Sequence, residues 1–273
     1  MAKDDDKQHQ MLFDIRGRRK NVVKVVYAVL ALLMGGSLFL TVGPFSIAEI
    51  FNDGTATSDL AKSYEEEAER IEAKLAKTPD DPTLLLRLTR AQINAGNGSV
   101  ELDENRQPVV TTEAVQHYLQ AYQSWSEYLE STKDPNPNLA QLVAPTLFQL
   151  AENSNSYAEA SARVQSAADA QRIVAEERPS VNSWTTLAFY TAFTGDSSAT
   201  NKAKAEAKKL TRSKTEVQAI DSQIEPAEKS AKVFLKQKSQ AEKAEKAAAK
   251  GNTSAPESLE NPLGGLGGGG LGE

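Results

Sequence analysis

The sequence predicts an all-α protein: a membrane-spanning helix near the N-terminus, an array of helical hairpins, a long C-terminal helix and a disordered Gly-rich tail. Three observations carry this. One apolar run lies near the start of the 273-residue chain, residues 58–250 show helical periodicity without a convincing run of strands, and Pro recurs where one helix must stop and the next begin. The expected organisation is an N-terminal tail at 1–20, a membrane helix at 21–43, a linker at 44–57, a helical domain at 58–210, an extended capping helix at 211–250 and a tail at 251–273.

The apolar run is "NVVKVVYAVLALLMGGSLFLTV", Asn21 to Val42. From Val22 it gives a helix of roughly 31 Å, the thickness of a bilayer core. The Val, Leu and Phe residues beyond Lys24 favour insertion by roughly 3–6 kcal/mol. Lys24 sits near one end, where its stem can snorkel. Arg16, Arg18, Arg19 and Lys20 precede the span, whereas Glu49, Asp53 and Asp59 follow it. The positive-inside rule then places the N-terminus in the cytoplasm and the bulk of the chain outside. Ser46-Ile47-Ala48 offers a signal-peptide cleavage site as the alternative, but the apolar stretch is longer than a usual signal-peptide core.

The helices follow in order, near 58–77, 83–95, 111–131, 137–151, 157–177, 182–194 and 198–210, with a long interrupted helix over 213–250. Asp81 caps a helix that has Pro82 at its first position, and Asn136 with Pro137 repeats the arrangement. Ser180 caps the helix of "SVNSWTTLAFYTAFTGD", which Gly195 ends. Connections this short join antiparallel neighbours. The long, polar stretch Gly96–Val110 is the exception: Val100 and Leu102 alternate, and Val109 and Val110 follow a turn-like Glu-Asn-Arg-Gln, the pattern of a small hairpin. Over 213–250, Ala, Lys and Glu are good helix formers, and Glu228–Lys232 and Glu242–Lys246 have favourable i,i+4 spacing. Residues 251–273 are mostly Gly, Pro and Ser without a period, the pattern of a disordered tail.

Composition and motifs exclude several functions. There is no Cys, hence no disulfide and no thiolate chemistry. His9 and His117 lie far apart, which argues against a His-based metal site. The chain has no Gly-x-Ser-x-Gly, no phosphate-binding Gly loop and no His-Glu-x-x-His, so no enzyme, cofactor or small-molecule substrate is expected. Residues 44–199 carry a net charge of about −12 and residues 200–250 about +6. That basic stretch has only Phe234 as an interleaved aromatic, so no nucleic acid is expected as a partner.

Trp184, Leu187 and Ala188 recur at helical spacing, and Ala168, Arg172 and Ala175 offer a small-residue face on the helix before them. "SWTTLAFYTAFTGD" resembles the first helix of a tetratricopeptide repeat, whose helix pairs recur every 34 residues. "TLLLRLTRAQINAGN" fits through Leu85 and Leu88, with Thr89 in place of the small residue. "EAVQHYLQAYQSWSEYLE" resembles a second helix, with Ala121, Trp125 and Tyr128, as does "AEASARVQSAADAQRIVAEERP". Trp125 and Trp184 are expected in the core. The resemblance covers residues 60–210 and implies a TPR-like solenoid whose groove binds a protein or peptide. Its register implies that Thr83, Leu86, Arg90 and Asn94 line the groove in the first repeat, and Asn182, Thr185, Phe189 and Phe193 in the last.

The whole plan is similar to bacterial single-pass membrane proteins that hold a tetratricopeptide-type domain outside the cytoplasm. This implies a membrane-anchored interaction scaffold of the cell envelope, held by residues 21–43. Two alternatives stay open: a chaperone-like accessory of protein export, and a non-catalytic subunit held in a membrane complex by its anchor. Ala31 and Gly35 give the anchor a small-x-x-x-small pattern for close helix packing.

Overall fold

The computed structural model describes residues 54–248. The tail at 1–20, the apolar span at 21–43, the linker as far as residue 53 and the tail at 251–273 lie outside the described residues. Among the described residues, no helix is long and apolar enough to cross a membrane. Eight helices and one two-stranded hairpin follow each other: α1 (Gly54–Leu75), α2 (Pro82–Gly98), β1 (Glu101–Leu102), β2 (Pro108–Val109), α3 (Thr112–Ser131), α4 (Pro137–Glu152), α5 (Tyr157–Glu177), α6 (Val181–Thr194), α7 (Ser197–Lys209) and α8 (Lys214–Ala248). The all-α class stands.

The punctuation works through side-chain caps. Asp81 accepts from the backbone N–H groups of Thr83 and Leu84, and Asn136 from those of Asn138 and Leu139. Ser180 and Ser183 close a reciprocal capping box at the start of α6. Each cap satisfies N–H groups that no helical carbonyl can reach. Gly195 ends α6 with φ 84°, left-handed backbone that a side chain would strain. The long connection after α2 forms the expected hairpin, with Glu101 opposite Val109 and Leu102 opposite Pro108.

Two prolines sit inside helices without ending them. Pro145 lies in α4 and Pro226 in α8, and both are exposed. Each leaves the carbonyl four residues earlier without its donor. Those residues, Gln141 and Ser222, are also exposed, so water can supply the missing bond. The interruption expected in the C-terminal helix is therefore absent, and α8 runs on for 35 residues.

α2 packs on α3, α4 on α5 and α6 on α7, so residues 82–209 form three consecutive helical hairpins, with α1 before them and α8 after them. Their first helices begin at Pro82, Pro137 and Val181, which spaces the hairpins 55 and 44 residues apart. Both spacings exceed the 34-residue period of the tetratricopeptide repeat. The extra length is the β-hairpin between α2 and α3, and long second helices such as the 21-residue α5.

Alanine sets the helix separation. Ala140, Ala144 and Ala151 of α4 and Ala160, Ala167 and Ala168 of α5 have no exposed surface. A methyl side chain lets two helix axes approach closely, and the larger residues fill what remains. Trp125 and Tyr128 of α3 are buried with ring centroids 5.6 Å apart. A side chain at Gly96 would strike the Tyr118 ring, and one at Gly98 would come within 2.7 Å of Ala61. The two glycines thus fix how closely the end of α2 meets α3 and α1.

Trp184 is only half-buried, packed at the edge of the cluster formed by Ala175, Leu187, Ala188, Ala203 and Ile224. It is a flank of that cluster rather than the central anchor its spacing suggests. Trp125→Ala is expected to lower unfolding free energy by about 3–5 kcal/mol, against less than about 0.5 kcal/mol for Val233→Ala on the exposed face of α8. Paired denaturant melts of the two variants check this.

Candidate functional site

Pro82 and Val181 open equivalent helices, so Leu86, Arg90 and Asn94 of α2 correspond to Thr185, Phe189 and Phe193 of α6. The core positions agree: Leu88 and Thr89 are buried, and so are Leu187 and Ala188. The positions expected to line a groove do not agree. In α2, Thr83 and Arg90 are exposed, and Leu86 and Asn94 are half-buried. In α6 only Asn182 is exposed. Phe189 is half-buried, Thr185 is 3% exposed and Phe193 is completely buried.

The reason is α8. Ile220, Ile224, Ala227, Ala231 and Phe234 alternate at spacings of four and three, which puts them on one face of a helix. All five are buried. Ile224 belongs to a cluster against which Phe189 packs, and Gln223 and Ile224 line a small pocket with Thr185 and Phe189 of α6. Phe234 meets Phe193 at a centroid distance of 6.4 Å and Tyr157 of α5 at 5.7 Å. Thr185 and Phe193 therefore belong to the interior, covered by the chain's own amphipathic helix. The Thr185 hydroxyl donates to the Val181 carbonyl within α6. What remains between α8 and the α6–α7 turn is an open cleft of about 280 Å³ beside Gly195, Thr200, Asn201 and Glu228.

Charge fastens the same helix, with partners other than those the spacing suggests. Lys204 of α7 meets Glu228 at 2.9 Å, and Lys208 meets Asp221 at 2.7 Å. The hydrogen bond from Lys208 and its charge hold the Asp221 carboxyl below its ordinary range. Glu228 thus bridges to α7 rather than to Lys232, and Glu242 lies 3.9 Å from Lys238 rather than pairing with Lys246.

Two groups stand out that the sequence does not reveal. Glu152, at the end of α4, has a buried Oε1 with no hydrogen-bond partner among the described residues. Burial pushes its pKa up from 4.5 to about 7. Burial, and secondarily the Glu152 charge, also raises that of Tyr190. The second group joins α1 to α3. His117 Nε2 lies 3.1 Å from Glu65 Oε1, and ligand atoms of Glu65, Glu113 and His117 all fall within 4.8 Å of one another. Only the fold brings residue 65 to residues 113 and 117. The separation of His9 from His117 along the chain does not bear on this group, because the neighbours of His117 are carboxylates rather than a second imidazole. Glu113 and His117 are four apart on a helix, which is the one signal of the group visible in sequence.

The chain matches no protein-family model, no curated protein and no solved structure.

Glu152 sets a pH dependence. A carboxyl with a raised pKa costs nothing while it is protonated in both states, below about pH 4.5. The cost of ionising it in the fold grows as pH rises and is complete above about pH 7. Glu152→Gln is therefore expected to leave stability at low pH nearly unchanged and raise it above pH 7, by on the order of 2–3 kcal/mol. Urea melts of both proteins across that range measure the difference.

Proposed function

We propose that the chain is an interaction scaffold, tethered to a membrane by residues 21–43, that presents the solvent-facing side of its first hairpin to a protein partner. One observation carries this reading. The face of α6 is occupied by an amphipathic helix of the same chain, whereas the equivalent positions of α2 leave Thr83 and Arg90 exposed and Leu86 and Asn94 half-buried. Helix-in-groove docking is a recurrent mode of protein recognition, and α8 is an internal instance of it. The residues differ accordingly. Thr185, Phe189 and Phe193 are matched to an apolar stripe, whereas Leu86, Arg90 and Asn94 offer one half-buried apolar side chain, a cation and an amide. A linear segment with a carboxylate for Arg90 and one apolar anchor fits the α2 face best. Arg favours such contacts because its planar fork pairs with both carboxylate oxygens.

The apolar run and its basic flank support the tether and the extracytoplasmic placement. The array of helical hairpins supports the resemblance to tetratricopeptide-type domains, although its spacing is longer.

A photo-crosslinker placed at Thr83 in the membrane-embedded full chain, which leaves Leu86, Arg90 and Asn94 in place, tests the proposal. The expected result is one dominant captured protein. Arg90→Glu should reduce its recovery by roughly tenfold, on the order of one lost charge-assisted contact, with no change in melting temperature. A broad set of exported chains would replace the scaffold with the chaperone-like reading. A partner retained by the anchor alone, with no crosslink from α2, would replace it with the membrane-subunit reading.

A further inference from the structure

Glu65, Glu113 and His117 offer two carboxylates and one imidazole from two helices. We infer that they form a binding site for one divalent first-row transition-metal ion, such as zinc, which ties α1 to α3.

The donor set selects the ion class. Imidazole suits zinc, iron, nickel and copper, whereas magnesium and calcium take sets built of oxygen. Metal–ligand bonds of about 2.1 Å place neighbouring donors roughly 3.0–3.4 Å apart. The 3.1 Å between His117 Nε2 and Glu65 Oε1 already has that length. Glu113 sits in the first turn of α3, four residues before His117, with a carboxylate oxygen within 4.8 Å of both other donors. Three protein ligands leave the remaining positions to water.

Charge gives a second, separate reason. Among the described residues, neither Glu65 nor Glu113 has a Lys or Arg within 4.0 Å. Elsewhere carboxylates drawn between helices meet lysines, as Asp221 and Glu228 do. Two carboxylates held close together repel each other unless positive charge lies between them, supplied by a protonated imidazole or by a bound metal ion. The helices that carry them are positioned by unrelated contacts. Ala61, four residues before Glu65, packs against Gly98, and Ala114, three residues before His117, is fully buried. The imidazole is half-buried and the carboxylates are more open, so an ion has a route in from solvent.

On binding, the ion takes the Nε2 lone pair, the ring proton resides on Nδ1, and the hydrogen bond to Glu65 gives way to two metal–ligand bonds. No redox step is involved. Because the site spans α1 and α3, binding stabilises the fold by linkage.

Calorimetric titration of the detergent-solubilised full chain with zinc chloride tests the site, with thermal melts in parallel. The expected result is one ion per chain, a melting temperature that rises with zinc, and affinity lowered at least about tenfold in Glu113→Gln and in His117→Ala. Glu113 is exposed, so its variant keeps the fold if His117→Ala does not. His9→Ala should bind as the unaltered chain does, which separates this site from the acidic N-terminal segment. The absence of saturable binding, or binding unchanged in Glu113→Gln and His117→Ala, would overturn the inference.

Discussion

Phe193 is the side chain on which the C-terminal half of the structure depends. It is completely buried, with Phe148 of α4 at a centroid distance of 5.5 Å, Phe189 of its own helix at 5.5 Å and Phe234 of α8 at 6.4 Å. Phe148 also touches Tyr190, and Phe234 also touches Tyr157. One aromatic group thus joins α4, α5, α6 and α8. Only 6% of the chain is aromatic, so gathering so many rings at one place is a concentrated use of them. Rings in tilted and edge-on arrangements add to simple area burial, and each constrains the others' orientation.

That junction explains why α8 is a working part of the fold. Helix propensity can form α8 but cannot place it, because most helical stability in a folded protein comes from packing of an amphipathic face. Burial of the apolar stripe from Ile220 to Phe234 against α6 holds the helix in place, and Lys204 and Lys208 fix its lateral position. The last hairpin is sealed by its own chain, and the first presents polar side chains to solvent.

Much of the architecture was legible because its signals are local. Asp81-Pro82, Asn136-Pro137, Ser180 and Gly195 each act within a few residues, and each helix boundary they mark is found within a residue or two. The candidate site was less legible because its determinants are long-range. Phe189 and Phe193 look like groove residues when α6 is read alone, and only the stripe 27 residues beyond Phe193, beginning at Ile220, decides that they are covered. That stripe contains two alanines, which weakens it as a pattern without weakening its packing. Glu152 is one acidic residue among 37 until the fold places it beside Tyr190. The pairing of His117 with Glu65 likewise depends on the fold bringing α1 beside α3, 52 residues apart along the chain. Pro145 and Pro226 show the converse, since a strong local breaker is tolerated where the freed carbonyl faces water.

α8 occupies the α6 face as a permanent element of the fold. Hydrogen–deuterium exchange of the full chain, resolved by peptide, tests it most directly. The account predicts that amides between Ile220 and Phe234 are protected as strongly as those of α6, and that both segments open together as denaturant is added. Rapid exchange of 220–234 while α6 remains protected would contradict it, because the α6 face would then be stable without its cover.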